Sequence, residues 1–103
     1  MQTSSDLGLV SPALERYRDE TLFGDVWKRP DLGPRDRSTV TLAVLIGRNQ
    51  TIELPYYFNL ALDNGVAAGE ISEIITHLAF YSGWSNAMSA VPVVKGVFES
   101  REA

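Results

Sequence analysis

Isoleucine and leucine residues recur at helical spacing in the second half of the chain, and this stripe constrains the fold more than any other feature. The stripe consists of Ile71, Ile74, Ile75 and Leu78. On a helix of 3.6 residues per turn these side chains share one face, so the pattern predicts an amphipathic helix between Val66 and Gly83. Its start is weakly specified, because Ala67 stands where Ser, Thr or Asp would normally cap the helix.

Proline and glycine residues delimit the other predicted helices. Proline is favoured at the first helical position, and glycine is favoured just after the end. The predicted starts are Ser11–Pro12, Gly33–Pro34 and Thr51, with Pro55 in the first turn, and the predicted ends include Gly24 and Asn64–Gly65. A fifth helix covers "NAMSAVPVVKGVFES", and we expect Pro92 and Gly96 to kink or break it.

The run from Val40 to Ile46 contains only one polar residue, Thr41, and fits either a buried strand or a buried helix. Its β-branched residues favour a strand, whereas its N-terminal signal and a length of about 14 residues favour a central helix. We predict the helix. The whole chain is then an all-α, single compact domain of about five helices over residues 11–103, preceded by a flexible N-terminal arm at residues 1–10.

Charge and composition exclude several function classes. The 103 residues carry a formal net charge of −4, which argues against a nucleic-acid partner. The chain has no cysteine and one histidine, so we expect no thiolate chemistry and no metal site. We find neither a signal peptide nor an apolar run of the roughly 20 residues that cross a bilayer, and we expect a soluble, cytoplasmic protein with no membrane contact.

The single histidine, His77, lies in "HLAFYSGW", where the predicted helix is apolar on nearly all sides. Because a monomer does not expose such a helix, we predict a second contact face that buries Phe80 in a homo-oligomer. His77 is then either a hydrogen-bonded core residue or a proton-transfer group. Its neighbours at four-residue spacing are Glu73 and Tyr81.

Glu53 and Tyr57 lie four residues apart, hence on one helical face, with Tyr56 beside them. If their helix packs beside that of His77, a carboxylate, a phenol and an imidazole face one cavity. Simpler roles stay open: Glu53 as a partner of the helix dipole, and Tyr57 as a core aromatic residue.

Four stretches together resemble the carboxymuconolactone decarboxylase family, in the AhpD-like superfamily. These are "LFGDVW", "RDRSTVTLAVLIGRN", "ELPYYFNLALDNGV" and "EISEIITHLAFYSGW", and the match runs in order from about Glu15 to Phe98. The resemblance implies an all-α fold that assembles as a homotrimer or homohexamer, with active sites near subunit contacts. It also implies a cofactor-independent decarboxylase of aromatic catabolism that acts on a small carboxylated lactone or a related unsaturated carbonyl compound.

Two departures from the family pattern bear on the reaction. Peroxidase-type members carry two cysteines and a histidine where this chain has Gln50, Glu53 and Tyr57, so the resemblance does not extend to thiol peroxidase activity. Decarboxylase-type members usually read "ELP", an aromatic residue and then histidine, and here Tyr57 takes the histidine position. A tyrosine, with its ordinary pKa near 10, donates hydrogen bonds but is a poor base at neutral pH.

The resulting hypothesis gives each residue a role. His77 transfers the proton, Tyr57 donates to the developing oxyanion, Glu53 orients one of them, and Arg48 binds the substrate carboxylate. Further candidates for the pocket wall are Trp27, Tyr56, Tyr81 and Trp84. Arg48 also fits a plain surface ion pair, and both tryptophans fit packing or interface roles. The competing functions are a small-ligand-binding or accessory oligomer that has lost catalysis, and a purely structural oligomer.

Overall fold

The computed structural model describes residues 4–102, which form six α-helices and no strand. They are α1 (Ser4–Val10), α2 (Pro12–Arg16), α3 (Pro34–Gly47), α4 (Leu54–Asp63), α5 (Ala68–Tyr81) and α6 (Trp84–Glu102). A π-helical turn at Tyr17–Leu22 continues α2, and a 3₁₀ turn covers Val26–Lys28. The all-α prediction is confirmed, with one helix more than expected. The additional helix, α1, lies in the segment that we expected to be a flexible arm, of which residues 1–3 fall outside the described residues.

The predicted starts hold for α2 and α3 but not for α4. The Leu14 N–H donates to Ser11 Oγ at 3.2 Å, and Gly33 precedes α3 in an extended conformation. Thr51 does not cap α4, because the chain turns at residues 51–53 and Glu53 takes the cap position. Pro55 still lies in the first turn, where its missing N–H removes no intrahelical hydrogen bond.

The start of α5 shows how a helix forms without a capping side chain. Ala67 offers no acceptor, and Glu70 instead accepts a hydrogen bond from the Ala67 N–H at 2.9 Å. This bond and the ion pair with Arg35 lower the pKa of Glu70. The carboxylate thus satisfies one of the backbone donors that the first turn leaves unpaired.

Glycine ends two helices as expected, but proline does not break the last one. Gly65 and Gly83 have φ of 97° and 106°, the left-handed conformation that ends α4 and α5. Helix α6 continues through Pro92 and Gly96 to Glu102, so of the expected kink or break the break does not occur, and the kink stays a prediction. Pro92 and Met88, whose carbonyl loses its intrahelical partner, are both exposed, so solvent can reach that carbonyl.

Helix α3 is central, since it packs against α4, α5 and α6. Its Leu42 and Ile46 are fully buried, together with Phe58 of α4 and Ile71 of α5. The opposite side of α3 is not covered within the chain, as more than half of the side-chain surface of Val40 is exposed. The Val40–Ile46 run is therefore a helix with one buried face and not one buried on most sides.

Helices α4 and α5 both pack on α3 and α6 and share at most a marginal contact with each other. Hydrogen bonds fix this order: Arg101 of α6 donates to Asn59 and Asp63 of α4, and Asn86 donates to the Gly47 carbonyl at the end of α3. The condition that α4 pack beside α5 is therefore not met within the chain, since each of them contacts α3 and α6 instead. No helix within residues 4–102 combines the length and the apolar character needed to cross a bilayer.

Candidate functional site

Four aromatic side chains cluster where α4 begins. Phe23 stacks on Trp27, with ring centroids 5.9 Å apart, and Trp27 stacks on Tyr57 at 6.5 Å. Tyr56 meets Tyr57 edge to face at 5.1 Å and lies 6.0 Å from Phe23. Offset and edge-on contacts of this kind stabilise aromatic pairs beyond simple burial. They hold the Tyr57 ring in place, so its hydroxyl has a defined position.

A cavity of about 600 Å³ adjoins this cluster, between the N-terminal helices and the start of α4. Its wall is mostly apolar and consists of Leu7, Leu14, Tyr17, Arg18, Thr21, Leu22 and Glu53. Glu53, the N-cap residue of α4, is half-buried and supplies one carboxylate, and Arg18 supplies one cation. Small-molecule sites commonly have this volume and this pattern of few polar groups in an apolar wall.

Burial raises the pKa of Tyr57 to about 12, and the nearby Glu53 carboxylate and the Tyr56 phenol add to the effect. The cause is the loss of solvation for a phenolate, together with repulsion from other negative charge. Tyr57 is only 7% exposed. It therefore stays protonated throughout the physiological range and acts there as a hydrogen-bond donor.

Arg18 lies on the π-helical turn, and its side chain is only 12% exposed. Its Nε donates to Asp19 Oδ1 at 2.8 Å, and its Nη2 lies 3.9 Å from Glu15 Oε2. The hydrogen bond to Asp19 is the main reason why the pKa of Arg18 is raised, and the Tyr56 phenol contributes weakly. The guanidinium is thus a permanent positive charge at the cavity wall.

His77 lies on a different surface. It is exposed in the single chain and packs on Tyr81, with ring centroids 4.6 Å apart. Phe80 and Trp84 lie further along the same surface, 78% and 64% exposed, and meet edge to face at 6.2 Å. An apolar groove of about 350 Å³ between α5 and α6 borders this surface. Exposed aromatic rings of this number fit the predicted second contact face, which stays a prediction.

Arg48 is exposed at the C-terminal end of α3, where its backbone N–H donates to the Val44 carbonyl at 3.0 Å. It is not part of the wall that Glu53 and Arg18 line. The neighbouring Gly47 packs near Ser82, so this end of α3 abuts the turn between α5 and α6.

The eight residues proposed from the sequence therefore fall into three places within the chain. Glu53 lines the cavity, Trp27, Tyr56 and Tyr57 form the aromatic cluster, and the Glu53 carboxylate is close enough to Tyr57 to contribute to its raised pKa. His77, Tyr81 and Trp84 lie on the α5–α6 surface, and Arg48 lies at the end of α3.

Sequence analysis missed Arg18. A usable signal exists: Leu14, Arg18 and Leu22 follow one another at four-residue spacing, which puts an arginine inside an apolar stripe. The π-helical turn that carries Arg18 has no comparable sequence signature, although such turns are frequent at functional sites. Among residues 4–102, no group of three or more His, Asp or Glu side chains has the arrangement of a metal site.

Comparison with known proteins supplies a family. The sequence model of the carboxymuconolactone decarboxylase family matches residues 12–96. The chain is 35% identical over 77 residues to a 4-carboxymuconolactone decarboxylase of Acinetobacter baylyi, which covers 75% of this chain and 58% of the relative. It is 37% identical over 76 residues to a nitrosuccinic acid decarboxylase of Metarhizium robertsii, which covers 74% of this chain and 53% of the relative. The chain thus spans a little over half the length of these two curated relatives.

Proposed function

Since the chain belongs to the carboxymuconolactone decarboxylase family, we propose that it removes CO₂ from a small carboxylated lactone or a related acid with an electron-accepting group. Both relatives are named as decarboxylases of organic acids, which supports this reaction type. The lactone of 4-carboxymuconolactone and the nitro group of nitrosuccinic acid can each accept the electron pair that the departing carboxyl group leaves behind. The proposal requires no more of the protein than a site that binds such an acid and stabilises the charge that develops.

The observation that carries the proposal is the cavity of about 600 Å³ with Glu53 and Arg18 as its charged groups in an otherwise largely apolar wall. An apolar wall favours decarboxylation, because a carboxylate loses solvation on entry while the transition state, with its charge spread, loses less. The cation attracts an acidic ligand, and the carboxylate gives the site a polarity that fixes the direction of binding.

The chemistry assigns roles to the residues at the cavity. The bond to the departing carboxylate breaks, and its electron pair moves into the conjugated acceptor to form an oxyanion. Tyr57, which stays protonated, donates a hydrogen bond to that oxyanion, and Glu53 orients the phenol. The carbon that lost CO₂ then takes up one proton, so each turnover consumes one proton and releases one CO₂.

His77 remains our proposed source of that proton, on one structural condition. Within a protomer it lies on α5, which does not pack on α4, so it reaches the cavity only from another protomer of a homotrimer or homohexamer. The exposed rings of Phe80 and Trp84 beside it support such a contact.

Turnover is tested by following the ultraviolet absorbance of 4-carboxymuconolactone with purified protein. We expect Glu53→Gln to lower kcat by about 10- to 100-fold through loss of phenol orientation. Glu20→Gln, which changes an exposed carboxylate outside the cavity wall, is the matched control and retains full activity. Equal activity of both variants contradicts the role of Glu53, and absence of turnover by the unmodified chain on all lactones and nitro acids tried contradicts the function.

A mixing experiment tests the shared site. Glu53→Gln and His77→Ala chains are each expected to be impaired. The first variant keeps His77 intact, and the second keeps Glu53 intact. After joint unfolding and refolding, mixed oligomers regain about a quarter of the unmodified activity, because half of the chains carry each intact residue. Activity no higher than the mean of the two variants excludes His77 from a site shared between protomers.

A ligand-binding role without catalysis is the second candidate, and the Tyr57 phenol favours it. With a pKa of about 12 this residue cannot replace a histidine as a base at neutral pH. Heat of binding for the lactone without release of CO₂ would establish this alternative.

A further inference from the structure

Arg18 is a charged side chain that the sequence hypothesis left without a role. The residue belongs to the π-helical turn, and the N–H of Phe23, just after that turn, donates to the Arg18 carbonyl at 2.9 Å. The side chain is nonetheless only 12% exposed and lines the same cavity as Glu53. A guanidinium at an apolar cavity wall is a charged group that an anionic ligand in the cavity can reach.

The contacts of Arg18 hold the guanidinium in a defined orientation. Asp19 accepts from Nε at 2.8 Å, while the Glu15 carboxylate lies 3.9 Å from Nη2, which is too long for a hydrogen bond. A guanidinium that is braced at Nε presents its terminal nitrogens as a planar fork, the geometry that matches a carboxylate. A ligand carboxylate would bind Nη1 and Nη2 in exchange for the contacts that these nitrogens make within the chain.

Opposite charges at one cavity wall also suggest how a two-acid ligand would lie. Arg18 attracts a carboxylate, and Glu53 repels one. The stable orientation places the retained carboxylate at Arg18 and the departing one towards Glu53, where loss of charge as CO₂ leaves is favourable. Arg48, the arginine expected from the sequence, lies exposed at the end of α3 and does not line this cavity.

We propose that Arg18 is the specificity-determining residue of the site: it binds the carboxylate that the substrate keeps and thereby selects diacids over monoacids. This rests on the proposed decarboxylase function, and it names the substrate class as small diacids. Nitrosuccinic acid and 4-carboxymuconolactone both carry two carboxyl groups, of which one is lost.

The experiment compares each of these two diacids with the monoester in which the retained carboxyl is methylated. The unmodified chain should prefer the diacid by about 10- to 100-fold in kcat/KM, as expected for a charge-assisted hydrogen bond. Arg18→Gln should raise KM for the diacid by the same factor, change kcat little, and leave the monoester unaffected. Arg18→Lys, which keeps the charge but not the fork, should fall between them.

Two further measurements keep the result interpretable. Arg16→Gln changes an exposed arginine outside the cavity wall and should behave as the unmodified chain. Thermal unfolding of each variant identifies any that does not fold, and Asp19→Ala, which removes the acceptor at Nε, then gives a second test with a smaller rise in KM.

Outcomes separate this proposal from the proposed function. Turnover of the diacid with the same preference in Arg18→Gln overturns the role of Arg18 and leaves the decarboxylase intact. If no compound is turned over, calorimetric binding of succinate and its monomethyl ester decides. A preference for succinate that Arg18→Gln abolishes supports the Arg18 site without catalysis, and equal or absent binding of both compounds overturns it.

Discussion

Replacing Tyr57 by Phe removes one hydroxyl from the aromatic cluster and keeps the ring. The stacking on Trp27 at 6.5 Å and the edge contact with Tyr56 at 5.1 Å both survive this change. We therefore expect the free energy of unfolding at neutral pH to change by no more than about 1 kcal/mol. Any large loss of activity in this variant then reports on the hydroxyl itself.

The pKa of Tyr57 sets what that hydroxyl does. With a pKa of about 12, the fraction present as phenolate at pH 7 is about 1 in 100,000. The phenolate is too rare to act as the base, whereas the phenol is always available as a donor. Removing one donor to an oxyanion lowers kcat by about 100- to 1,000-fold, and the ratio of the two rates should not change between pH 6 and pH 9.

The assay is the pH dependence of kcat for the unmodified chain and for Tyr57→Phe on the same substrate. A ratio that rises about tenfold per pH unit would mean that the phenolate reacts, and the reasoning would be refuted. Absorbance of tyrosinate provides an independent check, because Tyr57→Phe should remove a titration phase near pH 12.

The pH dependence of folding stability gives a second test of the raised pKa of Tyr57. The pKa of Tyr57 is higher in the folded chain than its ordinary value of 10, so ionisation favours the unfolded state. The folded protein should lose stability as pH rises from about 10 to about 12, and Tyr57→Phe should lose less. Urea unfolding at these pH values measures the difference, and parallel curves would contradict the cause we assign.

Three other predictions concern packing and assembly. Phe58→Ala, at a fully buried ring, should lower the free energy of unfolding by about 3–5 kcal/mol in urea, and a loss below 1 kcal/mol would contradict the assigned core. Ser38→Ala should cost about 1–3 kcal/mol, because Asn64 Nδ2 loses an acceptor at 3.0 Å, and no loss would show that water replaces it. Phe80→Glu should shift the sedimentation coefficient towards that of a monomer, and an unchanged oligomer would place the contact face elsewhere.

Local rules explain which parts of the fold were predictable. A serine before a proline, or a glycine after an apolar stripe, determines the backbone conformation of only a few neighbouring residues. Ser11, Gly65 and Gly83 accordingly start or end helices as expected. Thr51 failed because Glu53 lies closer to Pro55, and the turn at residues 51–53 makes Glu53 the cap residue. The kink or break expected at Pro92 is not a break, and the exposed position of Pro92 leaves the carbonyl that loses its hydrogen bond open to solvent.

In the candidate site, too, some residue positions follow from local helical spacing and others depend on tertiary contacts. Glu53 and Tyr57 are brought together by helical spacing alone, so the sequence was sufficient. The place of His77 depends on which helices are neighbours, and this order is set by contacts such as those of Arg101 with Asn59 and Asp63, far apart in sequence. Arg18 was missed although its four-residue spacing from Leu14 and Leu22 places it in an apolar stripe, because the π-helical turn and the cavity beside it have no sequence signature.

Release of labelled CO₂ is the most direct test of the central claim that the Glu53–Arg18 cavity is a decarboxylation site. The chain is incubated with 4-carboxymuconolactone and with nitrosuccinic acid, each carrying ¹³C in the carboxyl group that should depart, and bicarbonate is followed by NMR. We predict that labelled bicarbonate appears with the unmodified chain for at least one of them and slows sharply with Glu53→Gln. Bicarbonate at the rate of the protein-free control for both compounds, or at the same rate in both chains, would contradict the claim.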